Sequence, residues 1–158
     1  MESIYERLTI RPSVLDDLPE IVRLLVEDDL GQTREQYTPE QIPAGYRQAW
    51  EMIEKTAGNT VYVAELEGVI VGTFQLMFLP SLSFQGGTRA QIESVRIDQM
   101  LRGRGLGRVM MEWAVDEART AGCTLVQLTT NKQRTRAQQF YERLGFQATH
   151  EGMKMMLR

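Results

Sequence analysis

Apolar residues recur along the chain with two periods. Leu18, Ile21, Val22 and Leu25 share one helical face, and Leu106, Val109, Met110, Trp113 and Ala114 repeat at i, i+3, i+4, i+7 and i+8. A third stripe consists of Ala137, Phe140, Tyr141 and Leu144. The first helix has capping-box spacing at Asp17 and Glu20, with Pro19 in the turn where a helix tolerates proline. Another helix is expected from Tyr46 to Lys55, after a loop containing Pro39, Pro43 and Gly45. The helix from Leu106 runs to about Ala121 and stops at Gly122. The last has capping-box spacing at Thr135 and Gln138, and ends at Gly145 with Phe146 as its hydrophobic contact.

Between these stripes the pattern is that of strands. Leu8 to Arg11 is a short β-branched run, and Thr60 to Leu66 with Val69 to Leu79 forms a hairpin around Glu67 and Gly68. Thr88 to Ile97 and Thr124 to Thr130 are further strands, and two short ones are expected around Glu151 and Gly152 at the end of the sequence. Thr88 to Ile97 breaks parity: Ile92 lies on the even face, Val95 and Ile97 on the odd one. One extra residue near Glu93 or Ser94, a β-bulge, restores a single apolar face; burial on both faces is the competing explanation.

Composition adds bounds. With 158 residues, 42% hydrophobic and 25% charged, the chain fits one globular domain over residues 1–158. It has no apolar run of membrane-spanning length, and MESIYERL is charged where a secretory signal is apolar, so a cytoplasmic protein without membrane partners is expected. Cys123 is the only cysteine, which leaves no intrachain disulfide and no cysteine cluster for zinc; no metal is expected. The net charge of −3 argues against a nucleic-acid partner. Acids concentrate between Asp16 and Glu54, whereas Arg102, Arg104 and Arg108 share a window without a carboxylate.

That window is RGRGLGR, placed between a strand and a helix, where backbone amides converge on anionic oxygens. A dinucleotide fingerprint needs its third glycine where Arg108 stands, and a Walker loop needs a lysine that is missing. The spacing Arg102-x-x-Gly105-x-Gly107 instead resembles the GNAT superfamily of acetyl-CoA-dependent N-acetyltransferases. So do RPSVLDDLPEI as opening strand and helix, IESVRI as central strand and NKQRTRAQQFYERLGF as closing signature.

The resemblance implies a mixed α/β fold: a mostly antiparallel sheet of about six or seven strands, splayed at a bulged central strand, with about four flanking helices. The bulge is thereby favoured at Glu93 and Ser94. The resemblance further implies that Arg102, Gly103, Arg104, Gly105, Leu106, Gly107 and Arg108 hold the pyrophosphate of acetyl-CoA. Val95, Arg96 and Ile97 would pair with the pantetheine arm, and Asn131 would touch it.

The chemistry sets the remaining roles. An amine of pKa near 10.4 costs about 4.6 kcal/mol to deprotonate at pH 7, so a base is useful. Glu93 is the only carboxylate inside the central strand, and family members often place a water-linked glutamate on it. Tyr141 matches the family's general acid for the departing thiolate, and an amide near Val95 would hold the oxyanion. The expected function is acetyl transfer to the primary amine of a small molecule by direct attack in a ternary complex. The resemblance implies an acceptor pocket built by the N-terminal third, whose acids then imply a cationic amine. A protein N-terminus or a lysine is the alternative acceptor, although TTNKQRTRAQQFY lacks the EVRxSN-like wording of ribosomal-protein acetyltransferases. A non-catalytic acyl-CoA-binding regulatory domain is the alternative of another class, and a homodimer is compatible with either.

Overall fold

The computed structural model describes residues 3–27, 29–35, 37–38 and 40–158; Asp28 and Pro39, one an acid of the N-terminal third and the other a loop residue, lie outside the described residues. The sheet has five strands in sequential order: β1 Leu8–Pro12, β2 Asn59–Leu66, β3 Val69–Pro80, β4 Thr88–Ile97 and β5 Leu125–Leu128. Neighbours are antiparallel from β1 to β4, and β5 runs parallel to β4. Four longer helices flank it among the described residues: α1 Leu18–Val26, α2 Ala44–Glu54, α3 Leu106–Thr120 and α4 Thr135–Arg143. Single helical turns occur at Asp29–Gln32 and Ser83–Gly86.

Local chemistry explains most boundaries. Glu67 and Gly68 both have positive φ, 51° and 82°, the conformation whose twist lets a two-residue turn join β2 to β3. Gly145, at φ 99°, stops α4: its amide donates to Glu142 and that of Phe146 to Tyr141, which leaves the Phe146 ring 5.9 Å from that of Tyr141. The two expected capping boxes do not form. Asp17 precedes α1, but its carboxylate accepts from the Val14 amide and from Arg11 and caps no helical amide. Thr135 is already inside α4, whose preceding residue is Arg134. Spacing alone could not show that a charged partner would claim Asp17 first.

Each face of the sheet has its own core. Phe74, Leu76, Ala90 and Ile92 meet Leu106, Met110, Met111 and Ala114 of α3. On the opposite face Ile21 and Leu24 of α1 pack on Val61, Val63 and Ile70, with Ile53 of α2 at their margin. Each fully buried side chain of this size contributes about 1.5–3 kcal/mol, so these two patches fix how the helices lie. On α3 the deepest residues include Met111 and Ala118, whereas Val109 and Trp113 are half-buried. Trp113 closes the core edge against Tyr62 at 4.9 Å between ring centres.

The strand count is five rather than six or seven. Residues 147–158 form no strand, so the expected hairpin at Glu151 and Gly152 is absent. A strand exists only with a ladder partner, and this segment finds none among the described residues.

Candidate active site

The bulge falls where the parity slip located it. Gln75 pairs with Glu93 and Thr73 with Arg96, so Phe74 alone stands opposite both Ser94 and Val95. Ser94 absorbs the extra residue at φ 54°, a left-handed conformation costing a non-glycine residue roughly 1–2 kcal/mol. In return, Ile92, Val95 and Ile97 all pack on the α3 side.

Pairing between β4 and β5 ends at Ile92 and Leu128. From Glu93 onward β4 therefore pairs only with β3, and a gap opens beside Val95, Arg96 and Ile97. Arginines occupy two carbonyls of this stretch: Arg96 Nη1 donates to Val95 at 2.9 Å, and Arg102 Nε to Ile97 at 3.2 Å.

The glycine loop lies at the end of the gap. Gly103 and Gly105 have φ of 76° and 82°, and no side chain caps α3, so the amides of its first turn have no side-chain acceptor. A side chain at Gly105 would come within 2.5 Å of the Tyr5 hydroxyl, and one at Gly107 within 3.3 Å of the Phe140 ring. The Tyr5 hydroxyl itself donates to the Arg104 carbonyl at 2.8 Å and pins the loop. Nothing in the sequence marked Tyr5, which acts on a residue 99 positions away. The three arginines divide their work. Arg102 closes on β4, Arg108 pairs with Glu112 at 2.7 Å, and the Arg104 side chain is exposed beside the amides. The open amides and the exposed cation fit a pyrophosphate.

Glu93 and Tyr141 lie on opposite faces of the sheet. Glu93 shares a face with its cross-strand partner Gln75, which borders a cavity of about 130 Å³ under α1 and α2. Its Oε1 accepts from Gln91 at 2.9 Å, and Gln91 in turn accepts from Gln127 at 2.6 Å. Tyr141 packs on the α3 side between Phe140 and Phe146. Burial pushes its phenol above the ordinary value, against the opposing pull of Arg96 and Arg134. The hydroxyl therefore keeps its proton at neutral pH. Asn131, on the loop after β5, accepts from the Gln133 amide at 2.9 Å in an Asx turn, which leaves Nδ2 to donate elsewhere.

The cavity ends at Ser94, on the bulge, and is walled by Leu18, Val22, Trp50 and Val61. Trp50 lines this space and donates to Ser13 at 3.0 Å. No carboxylate lines it among the described residues. The nearby acids face cations of their own: Asp17 and Glu65 meet Arg11, while Glu20, Glu27 and Asp98 surround Arg23. Burial alone would raise the Asp17 carboxyl, but hydrogen bonds from Arg11 and the Val14 amide, with the charge of Arg11, hold it below its ordinary value.

Known proteins share this fold. The solved structure of a transcriptional regulator from Bacillus halodurans C-125 superposes with a TM-score of 0.91, at 44% identity over 95% of this chain and 99% of that one. A glucosamine 6-phosphate N-acetyltransferase of Trypanosoma brucei brucei is 33% identical over 61% of this chain and 64% of its own length. An aminoalkylphosphonate N-acetyltransferase of Salmonella typhimurium is 37% identical over 38% of this chain and 39% of its own. The chain thus spans less than two thirds of the length of these two curated relatives. The acetyltransferase (GNAT) family model matches residues 20–146, from α1 through the bulged strand and glycine loop to the turn that ends α4. The chain belongs to the acetyltransferase (GNAT) family.

Proposed function

We propose that the protein transfers acetyl from acetyl-CoA to the primary amine of a small molecule by direct attack, within one domain. The observation that carries this is the stretch of β4 beyond Ile92, which pairs with β3 but no longer with β5 and leads directly into the open amides of the glycine loop. A donor arm laid along Val95, Arg96 and Ile97 would place its pyrophosphate over Gly103 to Arg108. Its thioester would then lie at the bulge, where the cavity under α1 and α2 meets Ser94. Acetyl-CoA supplies the activated acyl group, and the protein does the rest.

Glu93 takes the amine's proton, directly or through one water, from the cavity side. The amine nitrogen attacks the thioester carbon, and an amide near Val95 receives the developing oxyanion. As the C–S bond breaks, Tyr141 gives its proton to the departing thiolate from the opposite face. Asn131 contributes Nδ2 to the arm. The acceptor pocket, walled by apolar side chains and lacking a carboxylate, favours a compact amine over a polycation. The two relatives' own acceptors, an amino sugar phosphate and aminoalkylphosphonates, support a small polar amine.

A thiol-release assay with acetyl-CoA against amino sugars, aminophosphonates, amino acids, polyamines and peptides tests this. Turnover of a small amine, with Glu93→Gln slower by about 100-fold at neutral pH, is expected. The 44% identity to a protein described as a transcriptional regulator favours one second reading, an acyl-CoA-binding regulatory domain. Tight coenzyme binding without turnover of any amine decides for that alternative.

A further inference from the structure

Strand β4 presents two unlike faces as it nears the bulge. Ala90 and Ile92 pack into the core under α3, with Val126 and Leu128 directly opposite them on β5. The alternate positions are polar: Arg89, Gln91 and Glu93 on β4, and Gln127 opposite Gln91 on β5. On that face the core under α1 and α2 is built on Val61, Val63 and Ile70 of β2 and β3. Gln91, Glu93 and Gln127 lie outside it and are half-buried.

These side chains form one directed row. Gln127 Nε2 donates to Gln91 Oε1 at 2.6 Å, and Gln91 Nε2 donates to Glu93 Oε1 at 2.9 Å. The strand register brings them together, because Gln127 stands opposite Gln91 across the parallel ladder and Glu93 follows two residues on, about 7 Å along the same face. Charge sets the direction. An ionised carboxylate only accepts, so Gln91 turns its NH2 group toward Glu93 and its carbonyl toward β5, where Gln127 supplies the donor. The other amide beside Glu93, that of Gln75 on β3, is engaged elsewhere, its Nε2 donating to Asn59 at 2.8 Å. Among the described residues Gln91 is the one hydrogen-bond partner of the Glu93 carboxylate, and it holds Oε1 alone.

We propose that Gln91, braced by Gln127, is the positioning residue of the general base: it anchors Oε1 of Glu93, so that Oε2 is the oxygen presented to the incoming amine. This rests on the reading of Glu93 as the base. A glutamate side chain on a half-buried strand face otherwise turns about three bonds, and one amide held at Oε1 removes much of that freedom. Proton transfer needs the accepting oxygen within about 2.6–3.2 Å of the amine or of a bridging water, so a fixed carboxylate raises the share of encounters in which the amine can be deprotonated. The N–H bond of the ammonium breaks, an O–H bond forms at Oε2, and the nitrogen keeps the electron pair with which it attacks the thioester carbon. Carboxamides retain their own protons throughout. Gln91 and Gln127 therefore orient the base without carrying the proton.

The test is a double-mutant cycle in the 158-residue chain, read by thiol release from acetyl-CoA with the amine that it turns over fastest. Gln91→Met keeps the length of the side chain and removes the amide. Its kcat should fall about 10-fold while KM for acetyl-CoA and Tm stay constant. Gln127→Met, which frees Gln91 to turn, should cost about threefold in kcat. In a Glu93→Gln background neither substitution should slow the reaction further, because the base they position is gone. A wild-type kcat in Gln91→Met overturns the positioning role and leaves Glu93 as the base. So does a loss that persists in full in the Glu93→Gln background, which would mean that Gln91 acts on the acceptor or on the fold. If Gln91→Met does not fold, Gln127→Met decides through the same cycle. An unchanged rate in Glu93→Gln, or turnover of no amine, removes the base itself and the positioning role with it.

Discussion

The two sides of β4 are built by different means. On the loop side the site is made of main chain: a bulge at Ser94, an unpaired strand edge and amides opened by glycines with positive φ. On the α1 and α2 side it is made of side chains, and its character depends on which partners those side chains have already found. A backbone site tolerates changes of side chain but no added atom at its glycines. A side-chain site tolerates added atoms but changes specificity with each substitution. This contrast predicts where mutations abolish binding and where they only redirect it.

The largest effect should come from Gly105→Val. A β-branched residue cannot adopt φ 82°, and its Cβ would meet the Tyr5 hydroxyl at 2.5 Å. Calorimetry should show acetyl-CoA affinity reduced by at least about 100-fold with circular dichroism preserved; equal affinity would remove the loop from the donor site. Tyr141→Phe keeps the packing against Phe140 and Phe146 and removes only the proton. We expect kcat to fall about 100-fold with little change in KM for acetyl-CoA. Because burial raises this phenol, the wild-type rate should decline only above its ordinary pKa of about 10, and the variant should lack that decline. An identical pH profile in both would reject the general-acid role.

Smaller effects belong to the opposite side. Trp50→Leu enlarges the cavity and breaks the bond to Ser13, so KM for the amine should shift by about 10-fold and KM for acetyl-CoA should stay constant. A shift in both constants would mean that the two sides are not separable. Asp17→Asn removes the pair with Arg11 and should cost about 1–3 kcal/mol at neutral pH in urea unfolding. The folded carboxyl titrates below its ordinary value, so its stabilisation is complete above the unfolded pKa of about 3.9 and disappears as pH falls through the folded one. Wild type and variant should therefore converge in acid, and a constant gap would contradict the assignment.

Legibility in the sequence follows the same division. The bulge was readable because a parity slip between Ile92 and Val95 can be counted along one strand. The helix stop at Gly145 was readable because glycine followed by an aromatic is a local signal with local consequences. The capping boxes failed because Asp17 and Thr135 were judged by spacing, whereas the carboxylate of Asp17 was taken by Arg11 on β1. Acid-rich composition suggested a cationic acceptor; in the fold Asp17 faces Arg11, Glu20 and Glu27 face Arg23, and no carboxylate lines the cavity among the described residues. Tyr5 and Trp50 had no sequence signal, since one acts on a loop 99 positions away and the other only by where α2 lies.

The chain's own order of residues determined the helices, the hairpin and bulge of the sheet, and the backbone geometry of the glycine loop. These depend on φ, on periodicity and on neighbours within a few residues. Only the tertiary structure decided that Glu93 lies on the α1 and α2 face and Tyr141 on the α3 side, that Arg102 and Arg108 are spent on β4 and Glu112, and that the terminal segment pairs with no strand among the described residues. Those outcomes are competitions among distant groups for the same partner or edge, and the winner depends on distances that exist only after the sheet and its helices have packed.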